Sequence, residues 1–374
     1  MSFVPVALLT GGDIAINGSA FGPAWSDQQV AQLRNWANAA PDEGLPRPDT
    51  AELDAAIANA HPLAINRTAS ELALRLSKLH LLGSAPQGQR LAWHITDTDR
   101  STDLEAPLAE ALKSDHLDAF FAAQRPAHPH YEALRQALAQ ETDPAHRTAI
   151  ARTMERWRWL PRDLGPDFVI ANAAGFEVNL WRGGQHVKRW GAIAGKPATP
   201  TPSLRADAIA VNFNPWWEIP ASIAKESNMR AGGRYVWNGK RFRQPPGPGN
   251  ALGQMKIVMP NPYDIYLHDT PAKGLFTAEM RAFSHGCMRV ENALDFAETL
   301  LNGARSHEQI ERIVNPQKDA PPGVKAVVKS TVVTLPEKVP VFVLYMTVAV
   351  KPDGTLAFHK DIYGRDAVIA VALR

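Results

Sequence analysis

The chain has 374 residues, 45% hydrophobic and 21% charged, with a formal net charge of +2. That length points to two or three domains, because single cores stop growing near about 250–300 residues. The charge is too small, and basic tracts with interleaved aromatics too absent, for nucleic-acid binding. There is no unbroken apolar run of about 18 residues to span a membrane, and the single cysteine, Cys287, excludes an internal disulfide framework or an all-cysteine zinc site.

In chain order, "MSFVPVALLTGGDIAI" comes first. It lacks the basic n-region of a signal peptide, and Pro5 and Gly11-Gly12 interrupt its apolar run. Composition is compatible with a cytoplasmic chain or with a mature form whose leader is missing. The spacing then predicts helices up to about residue 160. Ser26-Asp-Gln-Gln29 reads as a capping box ahead of Val30, Leu33 and Ala37. A second helix starts at Asp49–Glu52. A third runs from about Thr68 to Leu82, and short ones cover 104–113 and 117–124. Pro129 suits the first turn of a helix to Ala139, and a last helix covers roughly 145–159, ending at Pro161.

From Phe168 the hydrophobic period changes to two, with Gly183-Gly184 as a hairpin signal. Further strands are expected at 208–213, 264–268, 341–350 and 355–361, with Pro352-Asp353-Gly354 turning between the last two. The reading is an α+β chain: a helical domain over 1–160, then a mostly β domain over 161–374. Residues 215–250 break the β pattern with three tryptophans, a short helical piece at 222–226 and a Pro/Gly stretch. They are either a decorated loop or a lid over a cleft.

The thiol lies in "AFSHGCMRVEN". If "FSHGCMRV" is extended, His285 and Cys287 share one face. In "NPYDIYLHDTP" the alternation puts Tyr266 and His268 together on one face. Two adjacent strands could then bring His268 beside Cys287. An imidazole there takes the thiol proton during attack or holds a thiolate–imidazolium pair. The amides of Gly286 and Cys287, with the Tyr266 hydroxyl, could face an oxyanion, and Arg289 could hold a carboxylate. Each residue also has a plainer reading. A lone cysteine is commonly a small buried apolar residue, His268 a strand histidine bonded to a carbonyl, and Arg289 a surface partner of Glu291. A metal site wants more ligands than are near, with no CxxC or HExxH in view.

Together, "SHGCMR" and the "YLHD" before it closely resemble the signature of the L,D-transpeptidases, cysteine acyltransferases with a YkuD-like catalytic domain that cross-link bacterial peptidoglycan. The stretches "MERWRWLPRDLG" (154–165), "NPWWEIPASIAKE" (214–226), "PPGPGNALGQMKIVMPNPYDIYLHDTPAKGLF" (245–276) and "YGRD" (363–366) resemble the large, YcbB-like branch. The resemblance implies Cys287 as nucleophile and His268 as base. Tyr266, Gly286 and Cys287 would serve the oxyanion, and Ser284, His285 and Arg289 would line the substrate site. It further implies stem-peptide substrates, acylation by carbapenems, no cofactor and a periplasmic location. The branch often carries a peptidoglycan-binding module before "ERWRWLP"; here only "QETDPAHRTAIAR" (140–152) fills that place.

Overall fold

The structure, a computed structural model, describes residues 24–373; the segment weighed above as a leader lies outside the described residues. The helical half comprises α1 (Asp27–Ala39), α2 (Ala51–Ala58) and α3 (Pro62–Leu82). After a two-residue strand, β1 (Trp93–His94), come α4 (Glu105–Ser114), α5 (Leu117–Ala122), α6 (Pro129–Gln140) and α7 (Pro144–Trp157). The Ser26–Gln29 capping box forms as read. Helix α3 begins six residues before Thr68, because Pro62 pre-sets its first turn and the His61 imidazole accepts from Ala64 N–H. Histidine is not a usual cap, so the sequence hid that start.

The β half begins with β2 (Phe168–Asn172), β3 (Glu177–Arg182), β4 (Gln185–Gly195) and β5 (Ser203–Phe213). The 215–250 segment holds β6 (Trp217–Glu218), α8 (Ala221–Glu226), β7 (Val236–Trp237) and β8 (Phe242–Gln244), its strands forming a small separate sheet in the order β6-β8-β7. Its base is clasped by the buried Asn250, whose side-chain amide donates to the carbonyls of Pro215 and Pro245 at 3.0 and 2.9 Å. The chain continues with β9 (Met255–Val258), β10 (Leu267–His268), β11 (Ala282–Ser284), β12 (Met288–Val290), α9 (Ala293–Leu301) and α10 (His307–Val314). It ends with β13 (Thr331–Leu344), β14 (Val348–Val350) and β15 (Leu356–Phe358).

The main sheet runs β1-β5-β13-β2-β3-β4-β12-β10-β9, and β9 pairs back with β5, so the path from β5 around to β9 closes on itself. Closure leaves those strands without a free edge. Inside lie Val178, Leu180, Ala192, Val211, Met255, Ile257, Leu267, Met288, Val290 and Val341, covered by Phe296 and Leu300 of α9. Burying each large apolar side chain stabilises the fold by roughly 1.5–3 kcal/mol. A second apolar cluster joins the halves: Leu134, Ile150, Met154, Trp157 and Trp159 pack on Phe168, Ile170, Trp181 and Phe342.

Three strand expectations need correction. The 264–268 strand shrinks to Leu267–His268: Asp264 is left-handed (φ 52°), and Asn261 ties the preceding turn, donating to the Met259 and Ile265 carbonyls. The 341–350 strand is instead the end of the longer β13 plus a separate β14. And "FSHGCMRV" is not one extended run, because residues 285–287 turn between β11 and β12.

Candidate active site

The turn that carries the thiol is fixed by its own polar groups. Buried Ser284 donates its hydroxyl to the Cys287 carbonyl and accepts the Gly286 N–H at 3.1 Å. The Ser284 carbonyl accepts from Lys196 N–H (2.9 Å), and the Gly286 carbonyl accepts from Thr201 Oγ1 (2.8 Å). Gly286 sits at φ 116°, a conformation that L side chains rarely adopt. These bonds bear on two of the sequence expectations. Ser284 braces the turn with both of its hydroxyl bonds. The Gly286 N–H is already bonded and is not free for an oxyanion. Among the described residues the Cys287 N–H finds no acceptor, which leaves it with Tyr266 as the candidate donors.

Strand β12 lies between β4, antiparallel, and β10, parallel, with Leu267 opposite Met288 and His268 opposite Arg289. On the far side of β10, His268 is opposite Lys256 of β9. Residues directly opposite in a ladder project from the same face. Lys256, His268 and Arg289 therefore form a row across three strands, while their neighbours Leu267 and Met288 enter the core. Tyr266 and Cys287 stand one step away: Met288 N–H donates to the Tyr266 carbonyl at 3.1 Å, which sets the Tyr266 N–H and hydroxyl near the sulfur.

The partly exposed Cys287 directs its S–H to the Asp264 carbonyl at 3.5 Å. Crowding around the sulfur pushes the thiol pKa up to about 11, a rise that the Tyr266 donors and the Lys256 charge oppose. His268 is buried, and its Nδ1 meets the Asp269 carbonyl. A carbonyl only accepts, so Nδ1 carries the proton and Nε2 keeps the lone pair. Burial first, then the Arg289 charge and that of Lys256, push His268 down to about 3. Thiol and imidazole thus rest as a neutral pair, not as an ion pair. Among the described residues no hydrogen bond joins His268 to the sulfur in this resting arrangement. Catalytic contacts of this kind commonly tighten only when substrate arrives.

Tyr266 is held protonated by burial and by the facing Cys287 and Asp264, so its hydroxyl remains a donor. Half-buried Arg289 has no hydrogen-bond partner for its Nε. His285 is turned to the 215–250 segment: its Nε2 meets Glu226 at 3.1 Å and Lys196 at 3.3 Å. The side chain of Trp217, from the same segment, lies near enough to Tyr266 to oppose the rise in its pKa.

Sequence reasoning missed two supports. One is Lys256. The other is the path through Thr201, whose N–H donates to Tyr363 Oη (3.3 Å) and whose carbonyl accepts from Arg365 (2.9 Å). The adjoining Asp366 pairs with Arg156 of α7 at 2.6 Å, so "YGRD" links the helical half to the turn bearing the thiol. Only long-range pairing reveals this; nothing in the local composition marks Thr201.

The chain thus sets a helical brace before a closed β domain that carries a lone thiol on a polar turn, one strand from a buried imidazole. Residues 166–323 match the model of the YkuD L,D-transpeptidase catalytic domain, and residues 17–138 match that of the Scaffold domain. The chain carries an L,D-transpeptidase catalytic domain behind a scaffold domain. A curated Haemophilus influenzae protein named as an L,D-transpeptidase is 29% identical over 240 residues, covering 55% of this chain and 47% of that one. The chain thus spans about half the length of that relative. Among solved structures, L,D-transpeptidase 3 from Mycobacterium tuberculosis is similar at 13% identity and a TM-score of 0.26, covering 48% of this chain and 60% of that one. The catalytic domain of the Enterococcus faecium L,D-transpeptidase, acylated by ertapenem, is similar at 12% identity and a TM-score of 0.24, covering 35% and 85%.

Proposed function

We propose that the protein is a peptidoglycan L,D-transpeptidase working by thioester transfer. The observation that carries this reading is the chain's only thiol, set at the head of β12 against Tyr266, with the neutral lone pair of His268 on the adjacent strand. Cys287 Sγ attacks the carbonyl between diaminopimelate at stem position 3 and D-Ala at position 4, while Nε2 of His268 takes the thiol proton. The carbonyl π electrons move to oxygen, which the Cys287 N–H and the Tyr266 hydroxyl receive. Collapse breaks the C–N bond, and His268 returns the proton to the departing D-Ala amine. An acceptor amine then displaces the sulfur, giving 3–3 links between diaminopimelates or 1–3 links through L-Ala. Half-buried Arg289, on the strand that follows the thiol, holds a donor carboxylate.

The 215–250 segment acts as the lid. Its contacts with Lys196, His285 and Tyr266 keep it over the thiol and favour amine over water as acceptor. A lid that stands open makes the same site an L,D-carboxypeptidase trimming tetrapeptides. The substrate is outside the inner membrane, so the location proposed is the periplasm.

Mass spectrometry of muropeptides incubated with the pure protein tests the reading: dimers identify the transferase, and tripeptides alone the carboxypeptidase. Intact mass after exposure to a carbapenem tests the nucleophile. No adduct, or one that survives in Cys287→Ala, would instead indicate a non-catalytic wall-binding scaffold.

A further inference from the structure

Lys256 is placed where a cation is hard to explain as packing. It is half-buried on β9, between Met255 and Ile257, which enter the core. Its register partners are His268 on β10 and Asn212 on β5. Its ammonium lies over the Tyr266 ring, 4.7 Å from the centroid. Among the described residues no carboxylate lies within ion-pair distance of it. Glu218 and Asp264 are the nearest acidic groups, and Glu218 is taken by Arg243 at 2.5 Å. A partly desolvated charge without a partner is costly, and an apolar side chain of the same length would fit a β-strand better. Such a cost is commonly met at sites where function needs the charge.

The groups facing the sulfur give that charge a use. The sulfur lies 3.5 Å from the Asp264 carbonyl, and the charges that act on it are the Asp264 carboxylate, Lys256, and Arg289 on the strand that follows the turn, with His268 one strand away. Asp264 opposes a negative sulfur; Lys256 and Arg289 favour it. A cation over the face of a phenol also draws electron density from the ring, which makes its O–H a stronger donor.

We propose that Lys256 is the electrostatic support of the nucleophile: its ammonium, seated on Tyr266, favours the negative charge that forms first on Cys287 Sγ and then on the tetrahedral oxygen. It transfers no proton; the thiol proton goes to His268. Lys256 is therefore a positioning residue acting through Tyr266 and through its field. The sulfur half of the inference is independent of the substrate, while the oxyanion half rests on the function proposed above.

The chain's single thiol makes the test direct, because iodoacetamide alkylation of this 374-residue chain reads Cys287 alone. Lys256→Met is expected to raise the midpoint of the alkylation–pH profile by about one unit and to slow alkylation at pH 8 about tenfold, with Lys256→Arg restoring both. The Met variant should melt at or above the parent temperature, since it removes an unpaired charge. Lys256→Gln serves the same comparison, so a folding defect in one variant does not decide the matter. Coincident profiles for parent, Met and Gln proteins would overturn the proposal. So would an equal shift in Lys256→Arg, which would make shape, not charge, the cause. A shifted profile in a protein that makes no muropeptide product would retain the support for the sulfur while removing the substrate reading.

Discussion

Two buried polar regions of this molecule are built from similar side chains and paired to different degrees. At the junction of the halves, Glu155 accepts from the Ser84 and Ala85 amides at 2.8 and 2.7 Å and from Trp159 Nε1 at 3.0 Å. Arg158, fully buried, donates to the Glu43 carbonyl and to the Tyr131 hydroxyl, both at 2.8 Å, and pairs with Glu155 at 3.3 Å. Glu43 in turn accepts from Arg125 and from Tyr131. Around Cys287 the accounts are left open: Nε2 of His268, Nε of Arg289, the ammonium of Lys256 and the Cys287 N–H lack such partners among the described residues. The junction network is densely paired, with Arg158 Nε and the His80 ring nitrogens its remaining hydrogen-bond orphans among the described residues, and dense pairing stabilises one arrangement. An open network of the same polarity holds its unsatisfied groups ready for a ligand.

Substitutions at the two regions should therefore separate chemistry from stability. Cys287→Ala should abolish both transfer and the carbapenem adduct while leaving the melting temperature nearly unchanged. His268→Asn should slow transfer by about 10²–10⁴-fold, as loss of a general base does, with thermal unfolding followed in parallel. At the junction the pattern should invert. Glu155→Gln breaks a fully buried pair and is expected to cost about 3–5 kcal/mol in denaturant unfolding, without shifting the alkylation profile of the folded fraction.

Acid should find the junction as well. Burial opposes the Glu43 charge, but His80 and Arg125 outweigh it and hold its carboxyl well below the usual range. A carboxyl whose folded pKa is depressed adds stability above its unfolded pKa of about 4.3, and that contribution is lost as the pH falls below it. The melting temperature should drop on acidification below about pH 4, and Glu43→Gln should flatten that part of the curve. The smallest effect is expected at the lid. Glu226 is fully exposed, and Glu226→Gln removes its charge from Lys196 and His285. The ratio of cross-linked to hydrolysed product should fall about twofold, a modest change in keeping with an exposed pair. An unchanged ratio would leave those contacts without a role in gating.

The sequence announced features that short-range chemistry controls. The Ser26 capping box, the Gly183-Gly184 hairpin and the Pro352-Asp353-Gly354 turn are where their residues put them. The adjacency of β10, which bears His268, and β12, which follows the Cys287 turn, also agrees with that reading, although Cys287 itself lies outside the strand. What stayed hidden depends on partners far away in the chain. The left-handed Asp264 shortens a strand that alternation alone would extend. The bonds that Ser284 makes to the Cys287 carbonyl and the Gly286 N–H were equally hidden, because a motif shows which residues occur together, not which hydrogen bonds they make. Nothing local marks Lys256; only the β9–β10 register sets it opposite His268.

The shared aromatic seam has a practical corollary. Phe168, Trp181 and Phe342 on the barrel wall are covered by Trp157 and its helical neighbours. A truncation that began at residue 161 would strip that cover and present a sticky hydrophobic flank to solvent. It would also sever Arg156 from Asp366, slackening the backing of the loop beneath the sulfur. Trimming this protein to its smallest reactive piece would therefore sacrifice both solubility and the posture of the nucleophile.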